Sequence, residues 1–562
     1  MLFVSFRKVS IPLSVLMIFG VLTWYFLLEK STKSITHQSY IISANDFTKL
    51  NKKLSKHNIQ PSHSLPIINA VAVDLTDVEL SDFQKDSSFK ITVNHQVELM
   101  NHGNGGGKRR FQPSAVIADY VGASFAHYNY NFGDDVTIGF LDTGLDQLDG
   151  LSTDLYGWDK AWGTYDAINN TVHNYDDEAN GHGTHVASIA NNSDFDYSGR
   201  IYGVAPNAAI VGIKAFDDEG KATYADVIRG IQWSLQVKDL INLRILNMSF
   251  SGPVRSYYWD DPLNLAVMKA WQSGIVVVAS AGNTGPDPMT IGVPGNVPYI
   301  ITVGAVTDSY TSNFNSDDKI ASFSAAGPTV EGFVKPEIVA PGGHVSGLMS
   351  FDSQLVRQHP EFHDGGRYFE MSGTSQAAAA VSGVIALILT NDPTLTPDEV
   401  KCRIMDSAKT AKNSDGSLAY SVFQQGAGLI NAEGALLSSA HSCANSALDI
   451  EKDLAGESHY YGPSNVNEDG DFYVEGMNED YIWNVAKESL EGDVLIWKNN
   501  FETDVLIWKN SATTDVLIWK NNFETDVLIW KNNVETDVLI WKNNFSDPEA
   551  ATISVNNWVE QQ

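Results

Sequence analysis

From residue 136 onward the chain alternates short, nearly continuous apolar runs with stretches of helical pattern, and few architectures accommodate that alternation. The runs fall at 136–141, 208–213, 245–248, 275–279 and 299–303, with candidate helices such as 225–238 and 263–273 between them. Strands that are apolar on both faces belong in a sheet covered on both faces, and the helices connecting parallel strands supply the cover. The pattern therefore predicts an α/β sandwich on a mainly parallel sheet. At 562 residues the chain exceeds one core, so several domains are expected, and 43 % apolar residues suffice to bury a sizeable one.

Three segments at the ends of these elements carry reactive side chains. Asp142 closes an apolar strand in Gly139-Phe140-Leu141-Asp142-Thr143-Gly144, and His182 opens a helix in Asn180-Gly181-His182-Gly183-Thr184-His185-Val186. Ser375, in Met371-Ser372-Gly373-Thr374-Ser375-Gln376-Ala377-Ala378, begins the apolar helical stretch 376–390. Open α/β sheets bind ligands where strand ends meet helix starts. A serine hydroxyl attacks poorly unless an imidazole takes its proton, and the imidazole needs a carboxylate to fix its tautomer and balance its charge. His182 and His185 as a metal pair lack an accompanying acidic or cysteine ligand set, and Asp146 reads as a loop residue rather than the triad acid.

The order Asp, His, Ser is that of subtilisin, and with its flanking residues the stretch 111–444 resembles the subtilisin-like serine peptidases (S8). A fourth segment, Val277-Val278-Ala279-Ser280-Ala281-Gly282-Asn283-Thr284-Gly285, strengthens the resemblance. It implies a three-layer subtilisin-like sandwich in which Asp142, His182 and Ser375 are catalytic, with the Asn283 amide and the Ser375 backbone N–H as oxyanion donors. It also implies that Asn247-Met248-Ser249-Phe250-Ser251-Gly252 pairs with the substrate backbone and that Ala281 and Gly282 border the pocket. Ser251 stands where many members have glycine, and Asp218-Glu219-Gly220 is the expected opposite rim. The chemistry requires no cofactor. Family members often hold structural calcium after the histidine helix, but Asn191-Asn192-Ser193-Asp194-Phe195-Asp196-Tyr197-Ser198 departs from that loop. The runs Asp176-Asp177-Glu178 and Glu468-Asp469-Gly470-Asp471 are the other candidate calcium ligands, and no metal residue is assigned.

The flanks extend this reading. Residues 9–28 are twenty uncharged, mostly apolar positions after Arg7 and Lys8, so 1–32 read as a signal peptide or signal anchor, with the anchor favoured because no Ala-x-Ala site follows. Residues 36–100 carry a strand at 68–73, capping-box spacing at Thr76 and Glu79, and a returning strand at 89–93. This segment is similar to the inhibitor-type propeptide of the family, which implies an intramolecular inhibitor removed by self-cleavage. Residues 101–110, Gly-rich and basic, form the expected maturation linker, with Val97-Glu98-Leu99-Met100 in the non-primed subsites. The peptidase is expected over 111–445 and an acidic linker over 446–491. Over 492–545 the motif Asp-Val-Leu-Ile-Trp recurs five times at a step of eleven residues (504 − 493 = 11), read as short strands in a solenoid or meander.

Lys plus Arg (37) against Asp plus Glu (68) gives a net charge of −31, which repels phosphate backbones and excludes nucleic acid as a partner. Cys402 and Cys443 are the only cysteines, and the sequence leaves open whether they pair. The leading reading is a secreted, extracellular or periplasmic endopeptidase acting on proteins or peptides, made as a self-processing precursor held in the membrane by residues 9–28. The alternative is a surface-attached adhesion protein that uses the repeats and keeps a vestigial peptidase fold; the intact set Asp142, His182, Asn283 and Ser375 argues against it.

Overall fold

A computed structural model of the chain describes residues 37–99, 116–173, 178–308, 318–467, 470–477 and 481–483, together with the backbone of short strands between 494 and 555. The expected membrane span at 9–28, the linker at 101–110 and the acidic residues Asp176, Asp177, Glu468 and Asp469 lie outside the described residues. The chain divides into a unit of residues up to 64 plus 69–93 and a larger unit of 65–68 plus 94–562.

In the larger unit the main sheet has, in chain order, strands β1 (Thr137–Asp142), β2 (Ala161–Asp166), β3 (Thr171–His173), β4 (Ala209–Lys214), β5 (Leu243–Met248), β6 (Val276–Ser280), β7 (Ile301–Thr307), β8 (Lys319–Ile320) and β9 (Ile338–Pro341). Their spatial order is β8-β7-β6-β5-β1-β4-β2-β3, with β9 also on β7. Every pairing is parallel except those of the edge strands β3 and β8. The predicted apolar runs thus became buried strands, since Ile138, Phe140, Ile213, Ile245 and Val277 are all fully shielded from solvent.

Four helices matter for the site: α1 (His182–Asn191), α2 (Tyr224–Val237), α3 (Pro262–Gln272) and α4 (Thr374–Asn391). Neighbouring side chains on a strand point to opposite faces, so the layers can be read from contacts. Asn247 is level with Phe140 across β5 and β1, and it accepts a hydrogen bond from Ser382 of α4 at 2.9 Å. Gly230 of α2 instead packs so closely over Leu141 and Ile213 that an added Cβ would lie 2.9 Å from Ile213. Helices α4 and α2 therefore cover opposite faces, which makes three layers. Each helix starts on a recognisable signal: Thr223 and Asp226 form a capping box for α2, and Asp261 with Pro262 opens α3. Among the described residues α4 alone is long and apolar enough to cross a membrane, but it lies inside the unit as its central core helix.

The acidic stretch after 445, expected as a linker, is folded among the described residues as far as Trp483, which bridges Phe472. Helix Ile450–Leu454 and the hairpin Ser464–Val466 with Phe472–Val474 belong to the larger unit, and Phe472 and Val474 are buried with Phe423. The physical reason is one buried carboxylate: Asp453 accepts from the Tyr258 hydroxyl (2.6 Å), the Tyr299 hydroxyl (2.9 Å) and the His459 ring (2.8 Å). Cys402 and Cys443 are joined in a disulfide across a sequence separation of 41.

The smaller unit is an antiparallel sheet with Gln38–Ala44 between Ala70–Leu75 and Phe89–Val93, packed with helices Phe47–Lys56 and Asp77–Gln84. Its core gathers Ile42, Leu50, Leu54, Val73, Phe83 and Phe89. The Thr76 and Glu79 capping box forms at the second helix, whereas the strand at 38–44 and the helix at 47–56 had no counterpart in the sequence reading. Along the repeats, strands pair in register and parallel with the next but one, as in Val505–Lys509 with Val527–Lys531 and Val516–Lys520 with Val538–Lys542. Consecutive strands of a meander would pair antiparallel; alternate parallel pairing makes a coil with two strands per turn.

Candidate active site

Asp142 is the last residue of β1, and His182 is the first residue of α1. The His182 Nδ1–H donates to Asp142 Oδ1 at 2.6 Å, and the backbone N–H of Thr143 donates to the same oxygen at 2.8 Å. Both side chains are almost completely buried. Close approach at the helix start depends on glycine: a Cβ on Gly183 would lie 2.2 Å from the Gly144 carbonyl oxygen. Burial alone would make the His182 imidazole less basic, but the Asp142 charge, its hydrogen bond and the Glu178 charge outweigh it, so the ring is held above its ordinary 6.5. The other ring nitrogen, Nε2, is buried without a hydrogen-bond partner among the described residues.

Ser375 lies in the first turn of α4, where backbone N–H groups have no intrahelical acceptor. Its hydroxyl donates to the Ser249 carbonyl oxygen at 2.9 Å, so the nucleophile is parked on that carbonyl rather than on an imidazole. The two helix starts nonetheless face each other: His185, one turn after His182, contacts Gln376 beside Ser375 (Nδ1 to Nε2, 3.4 Å). His185 also binds the Phe369 carbonyl through Nε2 at 2.9 Å, and burial pushes its ring down to about 3, which makes it a neutral packing residue. Asp146 is tied by its N–H to the Thr184 hydroxyl at 2.8 Å.

Asn283 is oriented by Thr374, whose N–H and hydroxyl both donate to Asn283 Oδ1 at 2.9 Å. That fixes the amide so that its Nδ2 is buried and without a partner, 3.3 Å from where a Cβ on Gly373 would stand. An unpaired buried N–H donor is costly in an ordinary core. Here it stands beside Gly373, two residues before Ser375.

The residues expected to hold substrate also come together. Ser249 reaches Ser375 at both of its polar groups, Gly252 forms a bridge with Val293, and Ser251 Oγ reaches the Ala281 carbonyl at 3.5 Å. Gly282 (φ 113°) donates its N–H to Thr374 Oγ1 at 3.2 Å, and a Cβ there would lie 2.8 Å from Ser251 Oγ. Phe250 is buried against Phe216, so it supports the segment rather than lining it. On the rim, the Asp218 carbonyl accepts from Asn180 Nδ2 at 2.9 Å.

Of the described candidate calcium ligands, Glu178 and Asp196 are engaged by protein donors, Glu178 at both oxygens and Asp196 by Ser198 and Arg200. At the end of α1 the buried Lys160 ammonium donates to the carbonyls of Gly150 (3.2 Å), Pro206 (2.5 Å) and Asn191, joining three loops with its own charge. Among the described residues no group of three or more His, Cys, Asp or Glu side chains is placed to hold a metal. Lys160, Thr143, Thr374 and the structural use of Glu178 were missed from sequence; a lone lysine or threonine carries no periodic or motif signal.

Comparison with known proteins agrees with this geometry. The subtilase family model matches residues 133–428. The chain is 39 % identical over 306 residues to serine protease AprX of Bacillus subtilis, covering 54 % of this chain and 66 % of that protein, just under two thirds. It is 36 % identical over 305 residues to subtilisin DY of Bacillus licheniformis, covering 54 % of this chain and 91 % of that one. The crystal structure of fervidolysin from Fervidobacterium pennivorans superposes with a TM-score of 0.55 at 22 % identity, over 72 % of this chain and 62 % of that one, which shows a shared fold. The chain belongs to the subtilase family of serine endopeptidases.

Proposed function

We propose that the chain hydrolyses peptide bonds with Ser375 as nucleophile, His182 as general base and acid, Asp142 as the orienting carboxylate, and Asn283 with the Ser375 N–H as oxyanion donors. The observations that carry this reading are the bond from His182 to Asp142 at one helix start, with His182 Nε2 left unpaired among the described residues, and Asn283, held by Thr374 at the start of the helix that bears Ser375, with its Nδ2 likewise unpaired. One rotation about the Ser375 Cα–Cβ bond releases its hydroxyl from the Ser249 carbonyl. His182 Nε2 then takes the proton as the oxygen attacks the substrate carbonyl, and returns it to the departing amine while Asp142 balances the imidazolium. The substrate strand lies along residues 249–252, with backbone pairing that tolerates varied sequences.

Self-processing is part of the proposal. The strand Gln96–Leu99 runs antiparallel to Lys221–Thr223, with Val97 opposite Ala222, so a segment just before the expected cleavage zone already occupies an edge of the catalytic unit. Export fits the Cys402–Cys443 disulfide, a bond that persists in oxidising compartments. Attachment to a surface through the repeats is a further part, and it fails if a chain ending at 491 keeps its location and its retention on insoluble substrate. The decisive experiment compares wild type with Ser375→Ala for precursor size, casein cleavage and labelling by a fluorophosphonate. Wild type is expected to shorten, cleave and label, and the variant to do none of these; a variant that still cleaves casein removes Ser375 from the mechanism.

A further inference from the structure

Glu178 lies four residues before His182 and is buried, with 4 % of its surface exposed. Its Oε1 accepts from the Thr143 hydroxyl and from the N–H groups of Gly181 (2.9 Å) and Gly183 (3.0 Å). Its Oε2 accepts from the Thr184 N–H (2.9 Å) and the Thr184 hydroxyl. Three of these five donors are backbone amides at the opening of α1, the end of a helix that favours negative charge. The Thr143 hydroxyl and N–H also lie 3.3 and 2.8 Å from Asp142 Oδ1, the oxygen that receives the His182 proton. A single carboxylate thus ties the loop after β1, which carries Asp142, to the helix start that carries His182.

The charges around it are few. Asp142 and His182 face it from β1 and α1, and His185 on the next turn is neutral. Burial pushes the Glu178 carboxyl up to about 7, with the Asp142 charge adding to this and the Thr143 and Thr184 bonds opposing it.

We propose that Glu178 is a positioning residue for peptide hydrolysis: through its bonds to Thr143, Gly181, Gly183 and Thr184 it holds the loop that carries Asp142 and the helix start that carries His182 in register. The inference rests on the roles proposed above for Asp142, His182 and Ser375. No proton passes through Glu178, and no bond is made to it.

The test is Glu178→Gln in the full chain, assayed on a chromogenic peptide with active sites counted by fluorophosphonate titration. Glutamine keeps the shape but turns an NH2 toward at least one backbone N–H, which cannot accept from it. Per titrated site, kcat is expected to fall by about 100-fold, the scale of a misplaced reacting group, with KM within about 2-fold. Glu178→Asp keeps a carboxyl that can accept from the same donors and is expected to restore part of the lost kcat at unchanged KM. A Gln variant whose per-site kcat coincides with wild type overturns the inference. Should that variant give no soluble protein, Thr143→Val removes one donor and is read in the same way: lower kcat at constant KM supports the role, and unchanged kcat overturns it. The control is Ser375→Ala; if it hydrolyses the peptide, the proposed function has failed, whatever Glu178 does.

Discussion

Two buried charged clusters lie in the larger unit, and they differ in what they leave unpaired. Around Glu337 every group is satisfied: Lys335 Nζ reaches the Ile300 carbonyl (3.0 Å), Thr302 Oγ1 (3.1 Å) and Glu337 (2.7 Å), and Lys401 Nζ reaches Glu337 (2.8 Å), three main-chain carbonyls and Asn445. Around Asp142 the partners are equally close, yet His182 Nε2 and the nearby Asn283 Nδ2 have none. A saturated cluster can only hold the chain together. An unsaturated one can bind something that is not yet there. Burial and charge are shared by both, so neither alone marks a site; here the unpaired valence coincides with the Asp142, His182 and Ser375 segments.

Mutations can break that contrast if it is wrong. The largest effect is expected for Glu337→Gln, which leaves two buried ammonium groups without their shared anion and should lower the unfolding free energy by about 3–5 kcal/mol, measured by denaturant titration. Its per-site kcat should match wild type. Removing Cys402 and Cys443 together is expected to cost roughly 4 kcal/mol at most from loop closure, again with per-site kcat preserved. Asn283→Ala should slow kcat about 100- to 1000-fold, with a smaller stability loss of about 1–3 kcal/mol because the buried Thr374 N–H and hydroxyl lose their shared acceptor, Asn283 Oδ1. If Asn283→Ala unfolds the protein, or Glu337→Gln slows catalysis at each site, the contrast collapses. Gly373→Ala sharpens it, because its methyl would stand 3.3 Å from Asn283 Nδ2 and should depress kcat less than Asn283→Ala does.

The smallest effect is one of pH. The folded chain keeps a proton on Glu178 up to about 7, whereas an unfolded one releases it near 4.5. The stabilisation from this group is therefore complete below 4.5 and fades as pH rises through 7. Glu178→Gln should remove that slope from a plot of unfolding free energy against pH.

Much of this was legible before any coordinates. The buried parallel strands announced themselves as continuous apolar runs, and the reactive residues sat in segments whose neighbours are as constrained as they are: Gly183 must be glycine to let α1 approach Gly144. What stayed hidden was burial decided at long range. Glu178 ends an acidic run that reads as a solvated loop, and only Thr143, 35 residues away, makes it an interior anchor. The stretch after 445 has linker composition, but Asp453 finds the phenols of Tyr258 and Tyr299 more than 150 residues upstream. Lys160 looked like any surface lysine until three carbonyls enclosed it.

The Asp453 contact bears on how short this protease can become. Cuts beyond Val474 spare the hairpin packed on Phe423. A cut before Asp453 would strand the hydroxyls of Tyr258 and Tyr299 in a dry interior. The durable product of digestion is therefore expected to end past residue 474, a stop written by two tyrosines rather than by any cleavage motif.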